Sequence, residues 1–264
     1  MNDKKIIDLS IVIVSWNVQD LLKNCIASIY KNQRKINFEI VVIDNASEDQ
    51  TVEMVKDNFP KVKITANKNN LGFATANNQG ILQSHGRYIL LLNPDTVIVE
   101  NVLANMVEFM NKNDRIGVAG CRHVNPNWTL QPSVRRFPTI IPLLIIFTKI
   151  ARINPRLKSL NHYLARDFNY KITQPVDQVA GSFFLIRKEI IEEVGLLDEK
   201  FFIWFEEVDF CKRVNDAGWQ VWYNAESKIV HYGGQSFRHR ATIKKQILFY
   251  KSAYYYFKKH GFVW

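Results

Sequence analysis

Short apolar runs separated by helical patterns mark the first half of the chain. Three of four such runs are almost wholly apolar, which is typical of strands buried on both faces of a sheet, and the run at Val62–Ala66 predicts a short strand. These predicted strands are Leu9–Ser15, Phe38–Ile43, Val62–Ala66 and Ile89–Leu92. Between them, apolar residues recur at spacings of three and four, as on one face of a helix. The spacing predicts helices at Gln19–Asn32, Ser47–Asp57 (with Ser47 as its cap) and Ala74–Ser84.

This alternation of strands and helices predicts a parallel sheet. Each connection is long enough to hold a helix, so consecutive strands are expected to run in one direction with right-handed crossovers. A further helix at Val102–Asn111 and a strand at Ile116–Gly120 continue the pattern. The fold class is therefore expected to be α/β, with a doubly wound, mostly parallel sheet.

The second half is less regular. It follows an irregular stretch at 128–137. The predicted strands are Val176–Arg187 and Trp219–Asn224, with a loop at His231–Gly234. The predicted helices are Glu189–Gly195, Glu206–Ala217 and Ala241–His260. These patterns predict one domain over residues 1–240 and a basic, aromatic C-terminal helix over residues 241–264.

The segment Pro138–Tyr170 has two open interpretations. It mixes the apolar run Ile140–Phe147 with basic residues, among them Lys149, Arg152 and Arg156. Apolar and basic residues side by side are typical of a segment that lies at a membrane surface. The same pattern is expected of ordinary helices packed on the domain. The segment is therefore treated as a variable insertion that either contacts a membrane or packs on the domain.

The amino-acid composition limits the possible functions but does not identify one. The 264 residues are 47% hydrophobic, enough for a substantial core, and the net charge of +10 suits nucleic acid, an anionic membrane or a phosphorylated substrate. Three scattered cysteines, Cys25, Cys121 and Cys211, indicate neither a zinc site nor a disulfide framework. With no signal peptide at the start, the prediction is a cytoplasmic protein, at the inner face of the plasma membrane if 138–170 contacts it.

Asp95 is the first candidate for chemistry. The strand Ile89–Leu92 runs into Asn93-Pro94-Asp95, where the proline ends the strand. Open α/β sheets bind ligands at the carboxyl ends of their strands, and a carboxylate there can hold a divalent cation and, through it, phosphate oxygens. The alternative is a Pro-Asp turn in which Asp95 caps a helix.

Two further segments are candidates for nucleotide binding. Asp44 ends the second strand, where a carboxylate can accept hydrogen bonds from a base or a ribose. Because Ser47 is predicted to cap the next helix, Asp44 is not needed as a cap and is interpreted as spare, that is, available to bind a ligand. Asn70 and Gly72 lie in a turn before a helix, whose free N–H groups could face an anion.

Three acids stand together at a helix start behind the aromatic run 201–205. Solvated acids there usually complement the helix dipole, but burial by the aromatic run would raise their pKa and suit Glu206, Glu207 or Asp209 to proton abstraction. His231 is a candidate second ligand for a cation held by Asp95. Arg135 and Arg136 either bind phosphate groups or face solvent.

Seven segments occur in the order found in one known family. They are Ser15–Asn17, Ile43–Asp49, Asn70–Asn78, Leu91–Thr96, Val179–Arg187, Phe201–Asp209 and His231–Gly234. Together they resemble family-two glycosyltransferases of the GT-A fold, in particular the rhamnosyltransferase-like group that builds bacterial surface polysaccharide. The resemblance implies a nucleotide-binding half, an acceptor-binding half and an inverting transferase that uses a nucleoside-diphosphate sugar.

The resemblance also implies residue roles. Ser15, Asn17 and Asp44 would hold the nucleoside, and Asn70 and Gly72 would belong to the same donor site. The family's metal-binding positions fall at Asn93 and Asp95, with His231 as the second metal or diphosphate ligand. Gly181 and Ser182 would shape the donor or acceptor cleft. The catalytic base falls at Glu207, with Glu206 and Asp209 as alternatives.

Two departures from the family pattern bear on these roles. Asn93 replaces the first aspartate of the metal motif, so metal affinity is expected to be modest. Glu207 stands where the family usually has aspartate, which leaves the base open among the three acids.

The implied partners follow from the family chemistry. The cofactor would be Mg²⁺ or Mn²⁺, the donor a dTDP- or UDP-sugar such as a rhamnose donor, and the acceptor lipid-linked or polysaccharide. The alternatives are a catalytically inactive nucleotide-sugar-binding scaffold and a nucleic-acid binder. Acids at the strand ends would repel a nucleic-acid backbone, so nucleic acid is not expected as a partner.

Overall fold

The computed structural model describes residues 6–32, 35–148, 150–233 and 242–263. Its first half alternates strands and helices as the apolar pattern predicts. The elements are β1 (Leu9–Ser15), α1 (Gln19–Asn32), β2 (Phe38–Asp44), α2 (Thr51–Asn58), β3 (Lys63–Ala66), α3 (Phe73–Leu82), β4 (Tyr88–Leu92), β5 (Thr96–Ile98), α4 (Val102–Asn111) and β6 (Ile116–Val124).

The second half has shorter elements. They are β7 (Leu130–Gln131), β8 (Val134–Arg135), α5 (Ile140–Phe147), α6 (Ile150–Ile153), α7 (Lys158–Tyr163), β9 (Gln174–Pro175), β10 (Gln178–Val179), β11 (Phe183–Arg187), α8 (Lys188–Val194), α9 (Glu206–Asp216), β12 (Gln220–His231) and α10 (Thr242–His260).

One mixed sheet organises the molecule, with strand order β3-β2-β1-β4-β11-β6-β12-β5. Strands β1 to β4, β6 and β12 run parallel, whereas β11 and β5 run against their neighbours. The carboxyl ends of the parallel strands therefore lie along one edge, and β11 begins at that same edge. The expectation of an α/β fold with a mostly parallel sheet is confirmed.

Side chains along each strand point alternately to the two faces of the sheet, and apolar residues cover both faces. Ile11 and Ile13 of β1 face one cluster, which includes residues of α1, α2 and α4. Val12 faces the other cluster, which includes residues of α3, α8 and α9. The three cysteines are free and buried, as predicted, so they belong to the packing rather than to a disulfide framework.

A third cluster joins the C-terminal helix to the rest of the molecule. Leu143 of α5, Tyr163 of α7, Phe205 and Val208 pack with Tyr256 of α10. This cluster lies beside the start of α9, so it holds the segment that contains the three predicted acids. Among the described residues, no helix is long and apolar enough to cross a membrane.

Four predictions about local structure are wrong. Helix α2 begins at Thr51 rather than at Ser47, and its first flanking residue, Gln50, makes no side-chain cap. The predicted strand at 176–187 is broken by a turn at 180–182, which separates β10 from β11. Strand β12 continues past Asn224 through a register shift to His231, which therefore ends a strand rather than lying in a loop.

The fourth difference is the edge strand β5, which the apolar pattern did not predict because it has only three residues.

The segment at 138–170 forms three short helices. Helix α5 packs through Leu143, whereas Ile141 and Leu144 are exposed. Lys149, Gly234, Ala241 and Trp264, and the side chain of Arg152, lie outside the described part of the chain.

Candidate active site

A cavity of about 540 Å³ opens at the carboxyl edge of the sheet. Nine of the predicted site residues line it, although they are spread over more than 160 positions of sequence. They are Asn70, Gly72, Asn93, Asp95, Gly181, Ser182, Glu206, Glu207 and His231. Strand ends bring them together, because β4, β11 and β12 each begin or end at this edge.

Asp95 and His231 form a close pair within the cavity. His231 Nε2 lies 3.3 Å from Asp95 Oδ1. His231 Nδ1 lies 2.6 Å from Gln131 Oε1, which can only accept, so Nδ1 donates and Nε2 faces Asp95; in the neutral ring Nε2 then presents a lone pair. Both facing atoms are buried and have no hydrogen-bond partner among the described residues. Two buried acceptors facing one another fit a shared cation or proton between them.

Sequence reasoning assigned no role to His123, yet it lies behind this pair. Its ring is 5.7 Å from the ring of His231, edge to face. His123 Nδ1 is 2.9 Å from the carbonyl oxygen of Cys121, so Nδ1 donates. Nε2 then accepts from Ser182 Oγ at 2.8 Å. Burial lowers the pKa of His123 to about 3, so the ring stays neutral and fixes the direction of the Ser182 hydroxyl.

The start of α9 directs two acids into the cavity. Trp204 and Phe205 both have left-handed backbone angles, with φ of 63° and 70°. Neither is glycine, so each costs on the order of 1–3 kcal/mol, which the surrounding aromatic cluster must offset. This backbone turn places Glu206 and Glu207 in the first turn of α9, at the cavity wall.

Glu206 is buried and Glu207 is half-buried, and Oε2 of each is buried without a hydrogen-bond partner among the described residues. Burial raises the pKa of Glu206 well above its ordinary value, and the charge of Glu207 raises it further. Burial also raises the pKa of Glu207, but Arg135 acts in the opposite direction. The pair therefore favours a proton on Glu206 and a carboxylate at Glu207.

Gly181 leaves room beside this carboxylate. A methyl group added at Gly181 would lie 3.7 Å from Cβ of Glu207 and 3.9 Å from its carboxyl carbon. These are ordinary van der Waals distances, so Gly181 leaves open the space that a side chain would fill beside Glu207.

Asp209 lies in a different environment from the other two acids. It is fully buried and does not line the cavity. Its carboxylate contacts Arg213 Nε at 2.9 Å, Lys259 Nζ at 2.7 Å and His260 Nε2 at 2.7 Å. A buried carboxylate that is shared by two cations and a histidine is poorly placed to accept a substrate proton, so its geometry favours a structural role.

The interpretation of Asp44 as spare is wrong. Its Oδ2 accepts from the backbone N–H of Ser47 at 3.0 Å, and its Oδ1 accepts from the Ser47 hydroxyl at 2.5 Å. Ser47 Oγ in turn accepts from the backbone N–H of Asn17. Asp44 and Asn17 thus organise the loop that follows β2, and neither lines the cavity.

Ser15 is likewise buried at the end of β1, and its Oγ has no partner among the described residues. The neighbouring side chains Val14, Trp16 and Asn45 line the cavity instead. The predicted nucleoside residues therefore lie directly behind the cavity wall.

The turn at Asn70–Gly72 does not offer the N–H groups that the sequence suggested for an anion. Leu71 N donates to Asn45 Oδ1, and Gly72 N donates to Asn70 Oδ1. Phe73 N donates to the Phe202 carbonyl at 2.7 Å. Gly72 has φ +88°, and a Cβ there would lie 2.6 Å from the same carbonyl oxygen. The glycine is required for this close contact, which joins the turn to the aromatic segment.

The two adjacent arginines have different roles. Arg136 donates two hydrogen bonds to Asp167, each 2.7 Å, and one to the carbonyl of His162. Arg135 lines the cavity and lies 5.9 Å from the ring centre of Tyr163. Only Arg135 is thus placed to meet a bound anion.

The sequence did not point to three residues that line the cavity or support its wall. Gln131, which orients His231, lies in a two-residue strand with no apolar pattern. Phe249 comes from α10, more than forty residues after Glu206, and no local signal connects the two. His123 lies three residues beyond the predicted strand Ile116–Gly120 and directly after Arg122, so the local pattern did not mark it either.

Comparison with known proteins identifies related chains. The model of "Glycosyl transferase family 2" matches residues 10–195. N-acetylglucosaminyl-diphospho-decaprenol L-rhamnosyltransferase of Mycobacterium tuberculosis is 24% identical over 242 residues, which is 86% of this chain and 77% of the relative. The low-salt glycan biosynthesis hexosyltransferase Agl10 of Haloferax volcanii is 27% identical over 210 residues, covering 78% of this chain and 61% of the relative.

Solved structures share the fold. GalNAc-T7, solved with UDP, GalNAc and Mn²⁺, superposes with a TM-score of 0.66 at 19% identity over 90% of this chain. TarS of S. aureus superposes with a TM-score of 0.60 at 16% identity over 85% of this chain. The matched regions make up 46% and 36% of those two chains, so this chain spans less than half of either.

Proposed function

The chain belongs to glycosyl transferase family 2, and from this premise we propose that it is an inverting, cation-assisted hexosyltransferase of bacterial-type surface glycan synthesis. Family membership and the similarity to a rhamnosyltransferase confirm the resemblance stated above. The finer assignment depends on one observation, which is that Asp95, His231 and Glu207 meet around a single cavity.

The donor in this proposal is a dTDP- or UDP-sugar, with rhamnose as the favoured sugar. Support comes from the rhamnosyltransferase relative and from the neighbour solved with UDP. The nucleoside would contact the wall formed by Trp16 and Asn45, in front of Ser15, Asn17 and Asp44. Arg135 would face the diphosphate or the acceptor, because it is the arginine that lines the cavity.

Asp95 and His231 would hold a divalent cation. Their paired, unpartnered oxygen and nitrogen atoms fit Mg²⁺ or Mn²⁺, and a neighbour of the same fold was solved with Mn²⁺. Within the described part of the chain, no third His, Cys, Asp or Glu joins this pair to form a metal-binding cluster. The donor diphosphate would have to complete the coordination, where the cation offsets charge on the leaving oxygens.

Glu207 would act as the catalytic base. Its carboxylate accepts the proton of the acceptor hydroxyl as that oxygen attacks C1 of the sugar. The bond from C1 to the diphosphate oxygen breaks on the opposite face, so the configuration at C1 inverts. Glu206 would retain its proton and keep a second negative charge away from the base.

The acceptor would be a lipid-linked or polysaccharide glycan. The names of the relatives support this class, since one is a rhamnosyltransferase of a decaprenol-linked sugar and another is a hexosyltransferase of glycan biosynthesis. The cavity is also lined by Trp204, Phe249 and Tyr163, whose flat rings suit a sugar. We place the reaction at the cytoplasmic face of a membrane, where a polyprenyl-linked acceptor would be reached.

Substitution of the base tests the proposal. Glu207→Gln keeps the shape but cannot accept a proton, so transfer is expected to fall by roughly 10²–10⁴-fold while donor binding is kept. Asp95→Ala is expected to lose both transfer and metal-dependent donor binding. Transfer is measured by release of the nucleoside diphosphate with an acceptor, and donor binding by calorimetry.

Glu206→Gln is the matched control, because it removes the neighbouring carboxyl and is expected to retain most of the activity. Full activity of Glu207→Gln would exclude Glu207 as the base and transfer that role to Glu206 or Asp209. A wild-type protein that binds the donor but neither transfers nor hydrolyses it would instead be a binding scaffold.

A further inference from the structure

Helix α10 exposes large apolar side chains along one stripe. Ile243, Ile247, Tyr250 and Tyr254 are spaced by four, three and four residues, so they project from the same side of the helix. All four are exposed, with Ile243 at 71% and Tyr254 at 63%. The opposite side of α10 is buried in the aromatic cluster, for example through Tyr256. The helix is therefore apolar on the side that packing does not use.

The stripe continues onto neighbouring elements. Phe147 of α5 packs edge to face on Tyr250, with ring centres 4.5 Å apart. The N–H of Ile140 donates to the carbonyl of Val263 at 2.9 Å, which fixes the end of the chain beside α5. The exposed apolar residues that extend the stripe are Ile141, Leu144, Phe262 and Val263. We call these four and the four stripe residues of α10 the apolar face.

The apolar face lies in a part of the chain that is basic throughout. No aspartate or glutamate occurs after Glu226 or between residues 138 and 166. Lys244, Lys251 and Lys258 are exposed at seven-residue intervals and flank the stripe on one side. Lysines placed this way can keep their ammonium groups in water or at phosphate level while their stems cover apolar surface.

We propose that the apolar face docks on the surface of a bilayer that contains anionic phospholipids. The apolar stripe would enter the boundary between headgroups and acyl chains, and the flanking lysines would meet lipid phosphates. Charge favours this occupant over a second copy of the chain, since two copies would bring identical basic surfaces together. A patch of this size and character on a soluble surface is otherwise unexpected.

Docking would place the cavity next to the membrane. Phe249 lies on α10, lines the cavity and contacts Phe147 of α5 with ring centres 5.7 Å apart. The same helix therefore has one side at the cavity and another at the apolar face. This step rests on the proposed function, because a lipid-linked acceptor would enter the cavity from the bilayer to which the helix is bound.

Vesicle binding tests the proposal. The full chain is sedimented with vesicles of phosphatidylcholine, alone or mixed with phosphatidylglycerol, and wild type is expected to prefer the mixed vesicles. Ile247→Ser/Tyr254→Ser should weaken binding to both by at least about tenfold, because it removes inserted apolar surface. Lys244→Gln/Lys251→Gln/Lys258→Gln should weaken binding to the anionic vesicles alone, by roughly fivefold for each lysine.

Leu82→Ser/Ile172→Ser is the matched control, since both residues are exposed and apolar but lie outside the apolar face. It should leave vesicle binding unchanged. Equal loss in this control, or unchanged binding in the stripe variant, would overturn the proposal. So would a wild-type dimer that ignores vesicles and dissociates on Ile247→Ser/Tyr254→Ser.

Donor hydrolysis in solution separates this inference from the proposed function. The stripe and lysine variants are expected to hydrolyse the nucleotide sugar at the wild-type rate, because none of the changed residues lines the cavity. A wild type that hydrolyses the donor but ignores vesicles refutes only the docking. A wild type that binds no nucleotide sugar refutes the proposed function, whatever the vesicles show.

Discussion

At the scale of single residues, the chemistry of the site depends on which polar atoms are left without partners. Asp95 Oδ1 and His231 Nε2 face one another without a hydrogen-bond partner among the described residues, whereas both carboxylate oxygens of Asp44 and of Asp209 contact protein donors. All are acids or histidines at element ends, and the sequence alone treats them alike. Their environments separate a candidate ligand pair from residues that hold the fold together.

Burial of the single residue His123 is expected to make the free energy of unfolding depend on pH. Its folded pKa of about 3 lies below the ordinary 6.5, so between these values the unfolded chain binds a proton that the folded chain does not. Stability is therefore expected to fall on acidification below about pH 6.5, by about 1.4 kcal/mol per pH unit from this group. Urea unfolding of wild type and His123→Gln at pH 7 and pH 5 measures the difference.

The variant should be less stable than wild type at pH 7, because the Ser182 hydrogen bond changes, but should lose less stability on acidification. His162→Gln serves as the control, since His162 is exposed. A pH dependence that is the same in wild type and His123→Gln would show that the ring is not held neutral.

At the scale of elements, α10 is attached to α9 by an ionic contact as well as by aromatic packing. Asp209 of α9 meets Lys259 and His260 in the last turn of α10, and also Arg213 one turn further along α9. Both helices contact the cluster that supports the left-handed residues Trp204 and Phe205. The position of α10 and the presentation of Glu207 therefore depend on the same set of contacts.

Asp209→Asn tests this attachment. The change removes the buried carboxylate that Arg213, Lys259 and His260 share, so the free energy of unfolding is expected to fall by roughly 3–5 kcal/mol. Amide exchange should show α10 opening before the central sheet. Unfolding in urea, followed by hydrogen exchange of the folded protein, measures both effects.

Asp216→Asn provides the comparison, because Asp216 also pairs with a cation on α9 but is exposed. Exposed pairs contribute little, so the cost is expected to stay below about 1 kcal/mol. If both variants cost the same small amount, the buried cluster does not anchor α10.

At the scale of the whole molecule, the sheet gathers distant residues at one edge. Parallel strands end there and β11, which runs against them, begins there, so Asn93, Ser182 and His231 meet although they are far apart in sequence. A ligand that spans this edge would contact several strands and helices at once. Its binding should therefore stabilise the fold as a whole.

A thermal shift screen is expected to identify the donor. A ligand at about a hundredfold above its Kd stabilises the folded state by about 2.7 kcal/mol, which raises Tm by roughly 5–10 °C in a chain of this size. We expect this for a dTDP- or UDP-sugar in the presence of Mg²⁺ or Mn²⁺, and a smaller shift without the metal. Scanning fluorimetry of wild type and Asp95→Asn measures it.

The metal-dependent part of the shift should disappear in Asp95→Asn, which keeps the size of the side chain but removes its charge. Free sugars without a nucleotide are the control and should produce no shift. A metal dependence that survives in Asp95→Asn would place the cation elsewhere in the cavity.

Local patterns in the sequence determined the fold class and much of the site. Apolar runs of four to seven residues specify buried strands, and the helical spacing between them requires parallel connections. Pro94 must end its strand, so Asp95 has to lie at a strand end. These features depend on neighbours within a few residues, which is why the predicted α/β sheet and its candidate carboxylate were accessible without coordinates.

Only the tertiary structure decided which of these residues face the same space. The insertion of β11 between β4 and β6, the extension of β12 to His231 and the placement of α10 all depend on contacts between segments far apart in the chain. The same contacts neutralise Asp209, occupy Asp44 and leave Glu207 beside Gly181. No local pattern encodes them, because the partner of a buried polar group is set by packing and not by its neighbours in sequence.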